Sequence, residues 1–236
     1  MSRPYQDIIW HRYCPDQGSG TLSCAVPSGM QVVDYAIFGV ATRNSSIGAN
    51  PTGGRTWHEK FRYDTSSNEW HGLWWKRIDS VAEEEAAANW EITQSGTGYA
   101  AVLVFRPRYP VRPPTSMITG PVDGGAEVHE QKRWYSSTTP RFHAPAGAVC
   151  IDIWVQSYGV GTPVYTGSGW LLGTGRQDAD EGVTYGWRQS EPGGLHPETT
   201  PEWGVSTSSY SACYTFMFPP YDGRGQQSET PDVELR

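Results

Sequence analysis

Apolar residues in this chain recur mostly at alternate positions, in short runs broken by Gly, Pro, Ser and Asn. That period belongs to a strand whose two faces meet different surroundings. Residues 7–13 (DIIWHRY) and 21–26 (TLSCAV) read as two strands parted by a Gly18-Ser19-Gly20 turn, and Pro27-Ser28-Gly29 is the next turn. Residues 31–40 form a third strand, with Val33, Tyr35 and Ile37 on one face. After a Ser/Asn/Gly-rich loop at 41–54, strands at about 56–63 and 70–78 flank the polar hairpin tip 64–68. A further pair, about 88–93 and 98–106, brackets Ser95-Gly96-Thr97. Residues 99–106 are apolar on both faces, which predicts a central strand. The only Ala/Glu-rich run, Ala82–Ala88, is too short for an independent helix and reads as a turn or one helical loop.

The pattern then repeats. Pro27, Gly29, Asp34, Trp75, Trp90 and Pro107 are followed in the same order by Pro145, Gly147, Asp152, Trp187, Trp203 and Pro219. Pro to Asp spans 7 residues in both copies, and Trp to Trp spans 15 and then 16. The second copy supplies strands at 148–158, about 169–176, about 183–189, about 201–207 and 210–218, with Ile151, Ile153 and Val155 on the matching face. Pro107–Pro114 and Pro219-Pro220 stop the last strand of each copy, because Pro has no ladder donor. A repeat this long is not a solenoid unit. It predicts an all-β fold: one antiparallel β-sandwich, jelly-roll-like, of roughly a dozen strands built from two similar halves. The pseudo-repeats cover about 21–110 and 140–222 within a core of about 7–220, and 107–140 is the least regular connection. Residues 1–6 and the polar 223–236 read as arms that order on a partner.

Composition narrows the function classes. The chain has 236 residues, a net charge of −7 and no Lys/Arg cluster, which argues against nucleic acid, whose affinity comes largely from phosphate neutralisation. No stretch approaches the apolar length of a membrane helix, and no secretory signal is visible at the start. Cys14, Cys24, Cys150 and Cys213 lack metal-ligand spacing and read as reduced core residues, with a bridge between the halves left open.

Candidate chemistry is sparse. His58-Glu59 and Glu69 with His71 each place a histidine beside a carboxylate, but no third ligand or nucleophile joins them; the plainer reading is solvated surface. Glu83, Glu84 and Glu85 read as a solvated turn, or else as a contact for a cation or a basic partner. Asp178, Asp180 and Glu181 offer oxygen ligands of the kind calcium takes, against the plainer reading of a hairpin tip. Asp34 and Asp152, at one position of the repeat, read as acceptors for backbone N–H groups of the neighbouring loop. Trp74 and Trp75 must face opposite ways, so if Trp75 matches Trp187 in the core, Trp70 and Trp74 point outward. They would then stack on a sugar or a protein partner, or lie under 107–140.

The stretches VPSGMQVVDYAIFGV, Pro51-Thr52-Gly53 before Trp57, LWWKRIDSVAEEEAAANWEI and YAAVLVFRPRYPV, with TTPRFHAPAGAVCIDIWV and Gly169-Trp170 in the second copy, resemble a β-sandwich module. That module is common in minor tail and other surface proteins of tailed phages that infect actinobacteria, and it also occurs in secreted bacterial proteins. Its pattern has Gly where this chain has Val33, and an Arg-Gly-Val-Asp where this chain has Arg106-Pro107-Arg108-Tyr109. The resemblance covers about 7–220 and implies a sandwich fold and a non-enzymatic virion protein of tail or capsid surface. Its partners would be other virion proteins in a multi-copy assembly, with no cofactor, nucleic acid or membrane. A carbohydrate- or receptor-binding module is the alternative, and a hydrolase is the weakest reading.

Overall fold

The computed structural model describes residues 7–43, 46–65, 69–114, 116–119, 131–132, 142–143, 147–158, 163–165, 170–172, 181–187, 195–196, 201–203 and 210–221. These residues are mostly strand. In chain order they form β1 (Ile8–Ala25), β2 (Tyr35–Arg43), β3 (His58–Thr65), β4 (Glu69–Arg77), the helix α1 (Val81–Glu85), β5 (Asn89–Pro107), β6 (Ser116–Thr119) and β7 (Gln131–Lys132). Then come β8 (Phe142–His143), β9 (Val149–Tyr158), β10 (Pro163–Tyr165), β11 (Trp170–Leu172), β12 (Gly182–Trp187), β13 (Leu195–His196), β14 (Pro201–Trp203) and β15 (Tyr210–Phe218). One antiparallel sheet runs β1-β5-β2-β4-β3 and a second runs β11-β12-β9-β15-β6, with β7 also on β15. Two small ribbons, β10 with β14 and β13 with β8, lie outside them. Among the described residues no helix is long and apolar enough to cross a membrane.

Two expected strand pairs are single strands. Residues 8–25 and 89–107 pair along their whole length, from Ile8 opposite Pro107 to Ala25 opposite Asn89. Gly18-Ser19-Gly20 does not reverse the chain. It lies opposite Thr97-Gly98, and a register slip between Ser19 and Thr21 leaves Gly20 unpaired at φ +84°. An unpaired left-handed Gly is a bulge, which bends a ribbon rather than closing a hairpin. The bend is sharp: Ser23 N–H donates to Asp16 Oδ2 at 2.6 Å, although seven extended residues would span roughly 23 Å. Two opposed turn-like segments therefore became one corner. The expected pairing of 201–207 with 210–218 is also replaced, since β14 pairs with β10.

The strand expected to be central is central. β5 lies between β1 and β2, and Ala100 to Phe105 are fully buried. Its odd-numbered residues join Ile37, Leu73, Ile151, Ile153, Val183 and Phe216 in a cluster shared by both sheets. Each such fully buried Leu, Ile or Phe contributes about 1.5–3 kcal/mol. Tyr185 on β12 crosses to the first sheet, and its hydroxyl reaches the carbonyls of Ile37 (3.1 Å) and Ala101 (2.7 Å). Gly39 is required there, because a Cβ would lie 2.7 Å from Val183 Cγ1 and 2.9 Å from the Tyr185 hydroxyl. Tyr13 adds a second crossing, donating to Val183 O at 3.0 Å. The even-numbered residues of β5 face a different cluster with Phe38, Trp57, Trp74, Trp90 and Leu22. The central strands of the first sheet are thus covered on both faces, the second time by residues 47–57, the start of β5 and the bent end of β1.

β5 ends at Pro107 and β15 ends immediately before Pro219, as the missing donors require. The turn glycines Gly29 and Gly147 share a left-handed backbone, φ +85° and +83°, while Pro145 lies outside the described residues. Val33, expected on the inner face with Tyr35 and Ile37, is instead half-exposed, precedes β2 and has φ +75°. A left-handed conformation costs a non-glycine residue about 1–2 kcal/mol, and a β-branched one is especially unsuited to it. Val33→Gly is expected to raise stability by about 0.5–1 kcal/mol, the relief of strain exceeding the greater freedom of the unfolded chain. A urea midpoint equal to or below that of the parent contradicts this.

Candidate functional site

The densest polar arrangement is built on β4 and the two segments beside it. Trp74 and Lys76 project to one side of β4, and Trp75 and Arg77 alternate with them. Ser80 caps α1, its hydroxyl accepting from Glu83 N–H at 3.4 Å, and this first turn aims Glu84 inward. Glu84 and Lys76 form an ion pair with relative side-chain exposures of 0% and 1%. The Lys76 ammonium sits 4.2 Å from the Trp57 ring centroid and 4.7 Å from that of Trp90. Glu84 Oε2 also accepts from Trp90 Nε1 at 3.0 Å, and Oε1 from Arg55 N–H at 3.2 Å. Gly54, at φ +64°, closes over the carboxylate, which a Cβ would strike. Burial drives the Lys76 pKa down to about 8 even with Glu84 pulling it up.

This corrects the reading of Glu83, Glu84 and Glu85 as a solvated turn. Glu85 is exposed and Glu83 holds Arg55 at the surface, but Glu84 is fully buried. Trp74 is corrected too. It points away from the inter-sheet core, as alternation demands, yet that face is covered and Trp74 is fully buried, with Nε1 donating to Asn50 Oδ1 at 3.1 Å. Its cover among the described residues is the second cluster. Trp70 is half-buried against the same cluster. Neither is an outward platform, and Trp75 packs partly on the inter-sheet cluster.

Beside the ion pair lies an open cleft of about 590 Å³, lined by Arg55, His58, Trp75, Arg77, Asp79 and Pro113 among others. His58 and Trp75, partners across β3 and β4, stack with centroids 4.6 Å apart and planes at 25°. Asp79 lies between two guanidiniums, 3.2 Å from Arg77 Nε and 3.8 Å from Arg55 Nη1. Sequence reading missed this cleft. Its one signal was Trp75 flanked by Lys76 and Arg77, which the run of tryptophans obscured.

The remaining candidates are scattered. Asp34 accepts from Gln31 N–H at 2.7 Å, as expected, and its two oxygens take a forked Arg106 at 2.7 and 2.9 Å. Asp152 is buried and accepts from Thr215 Oγ1 at 2.6 Å. The two aspartates do not hold one register position: Trp75 pairs with Ile37 and Trp187 with Ile151, so Asp34 lies three residues before its reference and Asp152 one after. Glu181 is buried and accepts from Thr97 Oγ1 at 3.2 Å, while Asp178 and Asp180 lie outside the described residues. Among the described residues no group of three or more His, Cys, Asp or Glu is placed to hold a metal. Trp187 is in the inter-sheet cluster; Trp203 is placed by its backbone alone. Cys14, Cys24 and Cys150 are free thiols whose pKa values burial raises, that of Cys14 to about 11; the Cys213 side chain lies outside the described residues. His71, paired in the sequence reading with Glu69, is fully buried, with no hydrogen-bond partner on either ring nitrogen among the described residues.

No protein-family model matches the chain, and neither the curated proteins nor the solved structures compared with it give a match.

Two expected outcomes follow from the buried charges. Glu84→Gln strands an unpaired ammonium and is expected to cost about 3–5 kcal/mol by chemical denaturation, whereas Lys76→Met with Glu84→Leu loses far less. Equal losses in the single and double variants would contradict the pairing. Burial lowers the His71 pKa from 6.5 to about 4, so between those values the unfolded chain binds more protons than the folded one. Stability is therefore lost as pH falls from about 6.5 to about 4, by roughly 3 kcal/mol. His71→Leu should flatten that limb in stability curves measured across the range, and an unchanged limb excludes His71 as its source.

Proposed function

We propose that this chain is a non-enzymatic structural protein of a tailed-phage virion, either a surface module of the tail or a decoration or minor protein of the capsid. We further propose that its architecture is one antiparallel β-sandwich made of two similar halves. Matching β3, β4, β2, β5 and β1 with β11, β12, β9, β15 and β6 makes the two strand orders coincide. The ingredients of the ion-pair box also recur in order along the sequence: Trp57, Lys76, Glu84 and Trp90, then Trp170, Arg188, Glu198 and Trp203.

The observation that carries the functional reading is where the polar groups go. Asp34 latches Arg106, Glu84 neutralises Lys76, Tyr13 and Tyr185 join the sheets, and His71, Cys24 and Cys150 are buried. Groups that could do chemistry are occupied in holding a scaffold, which fits the motif resemblance to virion surface modules. Other virion proteins are the partners in this reading, in a multi-copy assembly. Mass spectrometry of density-purified particles, set against the cleared lysate of the infected host, tests it. The chain is expected in the particles at a fixed multiple of copies; recovery from the lysate alone overturns the proposal. Glycan recognition is the second reading, favoured by the cleft at Trp75 rather than by Trp70 and Trp74.

A further inference from the structure

We propose that the cleft beside β4 is a binding site for a neutral saccharide. The site goes beyond a scaffold role and does not depend on the virion reading. Its volume, about 590 Å³, falls in the range of small-ligand clefts. One wall is the His58–Trp75 stack, an aromatic surface of the kind that receives the C–H face of a pyranose. Trp75 is held from behind by the inter-sheet cluster, so the wall is rigid before any ligand arrives.

Opposite charges alternate beside that wall. Arg55 and Arg77 present forked N–H donors, and Asp79 between them presents acceptor oxygens, with side-chain exposures of 46%, 30% and 47%. Vicinal hydroxyls each carry a donor and an acceptor, and adjacent guanidinium and carboxylate groups can satisfy both at once. The ion pairs around the cleft disfavour an anion as its ligand. Arg55, Arg77 and Lys76 are offset by Glu83, Asp79 and Glu84 in ion pairs. An anionic ligand would have to break those pairs, whereas a neutral polyol hydrogen-bonds to them in place of water.

The test is calorimetric and fluorescence titration of the full chain. The probes are neutral oligosaccharides of glucose, galactose, mannose and arabinose, with oligogalacturonate as the acidic probe. At least one neutral series is expected to saturate with Kd of about 1 mM or tighter, and oligogalacturonate to bind more weakly. His58→Ala, an exposed change, and Arg77→Gln are each expected to weaken binding about tenfold or more with the unfolding midpoint unchanged. Trp75→Ala should abolish the fluorescence response. The proposal is overturned if no neutral series saturates at about 10 mM, if oligogalacturonate is preferred, or if His58→Ala and Arg77→Gln both bind as the parent does. Particle composition is read by a separate measurement, so failure here leaves the virion reading standing.

Discussion

An ammonium and a carboxylate taken together out of water set the terms for one whole side of this protein. Lys76 and Glu84 each carry a desolvation penalty of several kcal/mol, recovered only where geometry and further hydrogen bonds are good. Meeting that condition requires four separate stretches of chain. β4 brings the lysine, α1 the carboxylate, the 53–57 loop the Arg55 N–H and the Trp57 ring, and the start of β5 the Trp90 ring and its N–H. None of these stretches could satisfy the pair alone. The box therefore specifies how they meet, more than it adds to net stability.

The box also explains why the central strands β5 and β2 of the first sheet are buried on both faces. Trp90 can reach Lys76 only if the β1–β5 ribbon turns back over its own sheet, and the bulge at Gly20 supplies that bend. The returning ribbon covers Phe38, Trp74 and Val102, while the second sheet covers their odd-numbered neighbours. β5 is left apolar on both faces from Tyr99 to Phe105. Strands of that character are usual in parallel sheets; here an antiparallel sheet acquires one by folding part of itself over the rest.

What could be read from the sequence was what depends on neighbours in the chain. Alternation located β2, β4, β9 and β15 to within a few residues, two-sided hydrophobicity made β5 central, and the prolines ended β5 and β15. What could not be read was what depends on residues brought from afar. Gly18-Ser19-Gly20 reads as a turn whether it reverses the chain or bends it, and the segment opposite decides which. Glu83, Glu84 and Glu85 are identical in composition, and only helical phase against Lys76 and Trp90 singles out the middle one. Trp74 was correctly given the face opposite Trp75. Its burial followed from a cover that no local pattern announces. Asp34 and Asp152 show the reverse error, since equal spacing from a proline implied an equivalence that the strand registers do not share.

The cleft and the box are two sides of one strand, and this links scaffold to recognition. A one-residue slip of β4 would send Lys76 toward the cleft and bury Trp75 or Arg77 in its place. The ion pair works against the slip that brings Trp75 to this position, which would leave Glu84 without its cation. Fixing the buried cation fixes which side chains alternate with it, and so presents His58–Trp75 and Arg77 together at the surface. A pair that adds little to net stability thus sets which side chains of β4 line the aromatic, ion-paired cleft.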